Sequence, residues 1–283
     1  MKLKIINYHQ PNGICGNLLN VIQCLSYRRK NEIYYFRFNN ILYSNRLNVW
    51  EKFFFQPFIE YEDLIEKKIK NKDYIEETFT HVKYKPKWNY VFENNLKILL
   101  SKKKIEKERQ LVKKFIKFKP IVSEKLNIYL KKYLTKHTLG IHIRGTDKFS
   151  EKGHNKFINK GHLLTLKNDI IPFINQKFYN LKMKKIFLAT DEKFIHNKIK
   201  KQYQNQLLKS NSELLSRKKN VGAHFFNIYG NEAWKTKLGT EALTDMLLLS
   251  KTKYSLLSQS NLSLCAILFR QDFKFSFLDA HIQ

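Results

Sequence analysis

The sequence predicts an α/β protein whose second half is built on a doubly wound parallel sheet. Three observations carry this. Apolar segments of strand length alternate with segments whose apolar residues recur at helical spacing. The chain opens as strand, turn, helix, strand, the start of a parallel unit. At 283 residues and 43% hydrophobic, it is long and apolar enough for one large core or two ordinary ones.

The elements follow in order. Residues 3–8 read as a short apolar strand. Pro11-Asn12-Gly13-Ile14-Cys15-Gly16-Asn17 reads as a turn-rich loop. Leu18, Ile22 and Leu25 then mark a helix, and Ile33-Tyr34-Tyr35-Phe36 an aromatic strand. Residues 50–94 are aromatic-rich and irregular, which predicts short elements and loops. Leu99, Leu111, Phe115 and Ile116 give 95–118 a helical stripe that ends at Pro120, and a second helix covers roughly 121–134. The boundary between an N-terminal domain, 1–130, and a C-terminal domain, 131–283, is placed in this stretch. Beyond it, strands at 138–143, 185–190, 223–228, 254–258 and 272–278 alternate with helices at 161–178, from 192, at 238–251 and at 261–270. Pro172 predicts a kink in the first of these helices.

Fifty-three Lys and Arg stand against 24 Asp and Glu, a net charge of +29. Such a charge suits an anionic partner: a sugar nucleotide, an anionic membrane surface or RNA. Only eight of the basic residues are Arg. The excess Lys accompanies Asn, Ile, Phe and Tyr, which share AT-rich codons, so part of the charge reflects composition. Specific phosphate recognition draws more on the bidentate guanidinium, and no RNA-binding module pattern is present, so no specific nucleic acid is expected. No apolar run of 18 residues predicts a membrane span. The basic start is too short in its apolar run for a signal peptide. Cys15, Cys24 and Cys265 give neither an even disulfide framework nor metal-ligand spacing, which fits a reducing cytoplasm.

Ligands of a doubly wound sheet bind at the carboxyl ends of its strands, so the residues after each strand are the candidates. Strand 138–143 is followed by Arg144-Gly145-Thr146-Asp147-Lys148, where Arg144 can fork onto a diphosphate. A local ion pair with Asp147 is the structural alternative. Asp191 and Glu192 follow the next strand, as site acids or as a helix N-cap. Ser260 and Asn261 stand where the last helix starts, a place for a cap and for an anion together. Glu241 and Asp245, four apart, share a face of a Leu-rich helix. A buried acid there needs a partner, and a ligand amine or amide is one. His142 lies inside a strand, as a satisfied core histidine or a ligand contact. No G-x-x-x-x-G-K-[ST], H-E-x-x-H, G-x-S-x-G or D-x-D motif is present.

Ile141-His142-Ile143-Arg144-Gly145-Thr146-Asp147-Lys148 resembles the H-[VI]-R-R-T-D-K motif of the α1,6-fucosyltransferases, a family related to the α1,2- and protein O-fucosyltransferases. Two segments match in order. Ile186-Phe187-Leu188-Ala189-Thr190-Asp191-Glu192 looks like the family's strand ending L-A-T-D-D. Leu243-Thr244-Asp245 with the stretch Leu257-Ser258-Gln259-Ser260-Asn261-Leu262-Ser263 looks like its L-D…L-S…S-S motif. Gly13-Ile14-Cys15-Gly16-Asn17-Leu18 is similar to its glycine loop. The N-terminal half matches only there.

The resemblance implies a GT-B-like architecture of two Rossmann-like domains, the first on the acceptor side and the second binding the nucleotide sugar. It implies an inverting, metal-independent fucosyltransferase with GDP-fucose as donor and no cofactor. By position, His142 and Asp245 would hold the guanine and Arg144 the β-phosphate, with Ser260 and Asn261 beside it. Gly13, Gly16 and Asn17 would line the nucleotide sugar. Arg144, Lys148, Asp191 and Glu151 are the candidate catalytic residues. Two departures stand out. The family's second Arg is Gly145 here, which keeps another GDP-sugar open as donor. The family's acid after the Lys falls one position off, at Glu151. The expected setting is cytoplasmic polysaccharide biosynthesis on a surface glycan, such as lipopolysaccharide or capsule. A lipid-linked acceptor would bring the enzyme to an anionic membrane, with Lys102-Lys103-Lys104 and Lys113-Lys114 as the touching clusters. A basic nucleic-acid-binding protein with a vestigial nucleotide site is the alternative from another class.

Overall fold

A computed structural model describes residues 1–9, 13–44, 48–79, 102–144, 170–208 and 230–278. They form two compact units. The first comprises Met1–Ser123 with Gly230–Thr240, the second Glu124–Tyr229 with Glu241–Gln283. The units part at Ser123/Glu124, where the expected division was at 130/131, and the start of the long helix Glu232–Lys251 belongs to the first unit.

In the first unit, strands β1 (Lys2–Tyr8), β2 (Glu32–Phe38) and β3 (Ile75–Thr78) make a parallel sheet in the order β2-β1-β3. Leu3 faces Ile33 and Ile6 faces Phe36 across the β1–β2 ladder. Helix α1 (Ile14–Ser26) connects β1 to β2 and is buried from Ile14 to Leu25, its polar Asn17, Asn20 and Gln23 included. The aromatic stretch is structured. Trp50 of α2 (Val49–Phe53) stacks on Phe54 at 4.3 Å and lies against Phe36 and Phe38. Helix α3 (Glu62–Lys70) leads into β3, a strand the irregular reading did not expect. Its four residues have no alternation to find: Glu76 and Glu77 sit on it, Glu77 paired with Lys4 of β1. Helix α4 (Lys102–Phe115) follows, and Pro120 is the first residue of α5 (Pro120–Lys132), where its fixed φ suits a helix start.

In the second unit, β4 (Thr138–His142), β5 (Lys185–Ala189), β6 (Tyr254–Leu257) and β7 (Phe275–Phe277) are parallel in the order β5-β4-β6-β7. Period-2 alternation divides β4 between two faces. Leu139, Ile141 and the following Ile143 pack with Ile186 and Leu188 of β5 against α6 (Ile171–Asn180) and α7 (Lys193–Gln202). Gly140 faces the other way, toward Leu249 of α8 (Glu232–Lys251) and Thr252 just beyond it. His142 shares that second face and meets α9 (Asn261–Phe269). Helices thus cover both faces, as the sequence predicts. Pro172 stands in the first turn of α6, where a missing N–H costs nothing; residues 161–169 of the expected helix lie outside the described residues. The expected strand at 223–228 lies outside the described residues.

Candidate functional site

The chain leaves β4, goes to β5 on one side and returns to β6 on the other. The carboxyl ends of β4 and β6 therefore flank a switch point, the place where such sheets bind ligands. Five residues meet there. The backbone N–H of Ser258 donates to the His142 carbonyl at 2.9 Å. The N–H of Arg144 donates to Ser258 Oγ at 3.0 Å. Ser260 caps α9, its Oγ accepting from the Ser263 N–H at 3.1 Å. Ser263 Oγ donates to the Ser258 carbonyl at 2.6 Å and lies 2.7 Å from His142 Nδ1. Ser258 Oγ and Ser260 Oγ stand farther from the same nitrogen, at 3.3 and 3.4 Å.

The electrostatics follow from burial. His142 is buried, and desolvation first, then the charge of Arg144, holds its pKa down to about 3, while the Ser258 backbone works in the other direction. The ring is a neutral imidazole through the physiological range. Arg144 is half-exposed and supplies a cation to this corner. The start of α9 adds unpaired backbone N–H groups and the positive end of its dipole. A fixed cation, a helix start and a neutral imidazole at one strand end suit a ligand that carries both an anion and a polar ring.

The other candidates stand as follows. Asn261 is the exposed first residue of α9. Asp245 is half-buried on α8, one turn beyond Glu241, whose buried carboxylate lies 3.7 Å from Lys125. Asp191 is half-buried after β5, and the α7 N-cap is Glu192, whose side chain makes no capping bond. The long, extended Glu side chain reaches back to the first N–H groups less readily than Asp. In the first unit, Gly13 is the N-cap of α1, at the carboxyl end of the central strand of its sheet. Gly16 and Asn17, expected in a loop, lie in the first turn of α1 and are buried. Neither Asn17 Oδ1 nor Asn17 Nδ2 has a hydrogen-bond partner. Lys148, Glu151 and Gly145 lie outside the described residues. Among the described residues, no cluster of three or more His, Cys, Asp or Glu is placed to hold a metal ion. Ser258 and Ser263 were not among the predicted site residues. Their spacing, Ser258-x-Ser260-x-x-Ser263 across a strand–helix junction, was the available signal.

No protein-family model and no curated protein sequence matches the chain. Solved structures do. The chain is similar to NodZ α-1,6-fucosyltransferase co-crystallized with GDP, at 12% identity and a TM-score of 0.54, over 95% of this chain and 93% of that one. The fucosyltransferase NodZ from Bradyrhizobium superposes with a TM-score of 0.53 at 13% identity, over 95% of this chain and 94% of that one. POFUT1 in complex with GDP gives 0.52 at 12%, over 97% and 98%. A mutant of Arabidopsis thaliana FUT1 in complex with GDP gives 0.53 at 11%, over 98% of this chain and 70% of that one. The chain has the fold of the fucosyltransferases. It has two parallel sheets with helices, similar to GT-B fucosyltransferase structures, and the likeness of fold covers 95% of the chain. At 11–14% identity, what is shared is the fold.

Proposed function

We propose that this protein is a glycosyltransferase that takes GDP-fucose as donor and transfers fucose, with inversion, to a hydroxyl of a surface glycan. The observation that carries the reading is the corner at the ends of β4 and β6. There Arg144, His142 and the capped start of α9 are held together by hydrogen bonds that span 114 to 121 residues of sequence. Several solved structures with this fold hold GDP or were soaked with GDP-fucose.

In this reading, Arg144 and the start of α9 bind the diphosphate. His142 and Asp245 hold the base, and Gly13, Gly16 and Asn17 contribute to binding the nucleotide sugar. The acceptor hydroxyl attacks C1 of the sugar in line, and the bond from C1 to the β-phosphate oxygen breaks. GDP leaves with the bonding pair, and Glu151 or Asp191 takes the hydroxyl proton. Charge grows on the departing diphosphate, so a cation fixed beside it accelerates the step more than it tightens ground-state binding. Lys148 adds a second cation four residues on. The reading is metal-independent: the sequence has no D-x-D, and Arg144 stands where a cation is needed. The acceptor, a lipid-linked glycan of lipopolysaccharide or capsule type, places the enzyme in the cytoplasm at the membrane face. Among the described residues, no helix is long and apolar enough to cross a membrane.

Calorimetry tests the donor: GDP, GDP-fucose, GDP-mannose and UDP-galactose are titrated without added metal. Binding of GDP and GDP-fucose with UDP-galactose silent supports the reading. Silence across the panel ends it. Gly145, where the resembling family has a second Arg, favours one alternative, a different GDP-sugar. Tighter binding of GDP-mannose than GDP-fucose would select it.

A further inference from the structure

The proton inventory of the switch-point corner decides which face of His142 a ligand meets. Ser263 Oγ carries a single proton. Its 2.6 Å partner, the Ser258 carbonyl, can only accept, so the proton goes there. The same Oγ lies 2.7 Å from His142 Nδ1 and has only lone pairs left to offer. Nδ1 must therefore carry the ring proton and donate it to Ser263. A neutral imidazole with a proton on Nδ1 has none on Nε2.

We infer that Ser263 is a positioning residue that locks His142 in the Nδ1–H tautomer, so that the ring offers an acceptor, Nε2, to a hydrogen-bond donor on the ligand. The inference rests on the donor-site reading of the same corner, and it deepens that reading. The edge of the base that meets His142 is an N–H edge and not a carbonyl or ring-nitrogen edge. Three constraints hold the arrangement. Ser263 is fully buried and sits in the first turn of α9. Its backbone N–H is tied to the Ser260 cap. The Ser258 residue that takes its hydroxyl proton is anchored to the His142 carbonyl and to the Arg144 N–H. A switch to the Nε2–H tautomer would leave a bare Nδ1 facing a hydroxyl whose proton is already committed. Either the bond to Ser258 or the bond to His142 would then be lost.

The test is a long-range 1H–15N spectrum of the histidine-labelled protein, with His142 assigned by difference against His142→Gln. The expected signature, without any ligand, is a protonated Nδ1 and an unprotonated Nε2 at pH 7. A protonated Nε2 in the free protein overturns the inference, whatever the protein binds. Ser263→Ala, checked for folding by circular dichroism, is expected to lose the single tautomer and to bind GDP about tenfold more weakly. A folded Ser263→Ala protein with wild-type tautomer and wild-type GDP affinity overturns it as well. Ser260→Ala removes the helix cap but not the 2.7 Å acceptor, and is expected to keep the tautomer. A switched ring in that variant would move the role from Ser263 to the cap. If the wild-type protein does not bind GDP, the donor reading fails, and the spectrum of the free protein still decides the tautomer.

Discussion

At the scale of single residues, Arg144 and His142 divide the work of one strand end. Arg144 is tied down through its backbone N–H, which donates to Ser258 Oγ. Removing its charge by Arg144→Ala is expected to lower transfer at least ~100-fold while the fold is kept. Turnover by the folded variant at the wild-type rate would remove Arg144 from the mechanism. His142 makes a second prediction, about pH. Its pKa is about 3 folded against 6.5 as an ordinary histidine. Between those values the unfolded chain binds a proton that the folded one excludes. Stability is therefore complete above about pH 6.5 and falls as pH drops toward 3, by a total on the order of 5 kcal/mol from this group. Urea unfolding at pH 7, 5.5 and 4.5 measures it. His142→Gln should flatten this part of the profile, and an unchanged slope would show that other groups produce it.

At the scale of elements, β4 is held by what it lacks and by what closes the helix beside it. A Cβ on Gly140 would come 2.5 Å from Thr252 Oγ1 and 3.2 Å from Leu249. Thr252 cannot swing away freely, because its hydroxyl donates to the Leu249 carbonyl and contacts Ser255 Oγ. Gly140→Ala is expected to cost about 1–3 kcal/mol by overpacking, read from the urea midpoint. A neutral result would mean that α8 can shift away from the strand. The end of α8 is closed by Arg270. Its buried guanidinium donates to the carbonyls of Leu249 and Thr252 and to Ser255 Oγ, and pairs with Asp272. Arg270→Leu takes the guanidinium donor from the Thr252 carbonyl and leaves the Leu249 carbonyl to the Thr252 and Ser255 hydroxyls, and is expected to cost about 3 kcal/mol. A Lys in its place should recover only part, since one ammonium cannot span the same acceptors.

At the scale of the whole molecule, the question is what a net charge of +29 serves. Under the donor reading, the specific anion is a nucleoside diphosphate. GDP at a hundred times its Kd should then stabilise the protein by about 2.7 kcal/mol, seen as a rise in Tm. Under the nucleic-acid alternative, retardation of RNA or DNA would be strong and would weaken steeply with salt. No retardation at moderate salt, together with a GDP-dependent Tm, is the expected pair of results. Strong retardation with no GDP effect would reverse the reading. Lys103, Lys113 and Lys114 are exposed on α4, as a membrane-touching face requires and as any solvated helix face also shows. Flotation with liposomes of anionic and neutral lipid separates the two, and equal flotation ends the membrane proposal.

Much of the architecture was legible in the chain, because periodicity is local. A strand buried on both faces, such as 138–142, carries an apolar centre, Leu139-Gly140-Ile141, and a helix start such as Ser260 carries a cap. The α/β alternation, the opening β1–α1–β2 unit and the cap at Ser260 follow from neighbours in sequence alone. Strand β3 did not, since four residues bearing two carboxylates carry no period. The roles of Ser258 and Ser263 were closed to sequence reasoning for a deeper reason. A serine hydroxyl donates or accepts according to its partner, and here the partner is a ring more than a hundred residues away. Composition and spacing established that polar groups gather after β4 and β6. Only the parallel register that sets those two strand ends side by side decided where each proton lies.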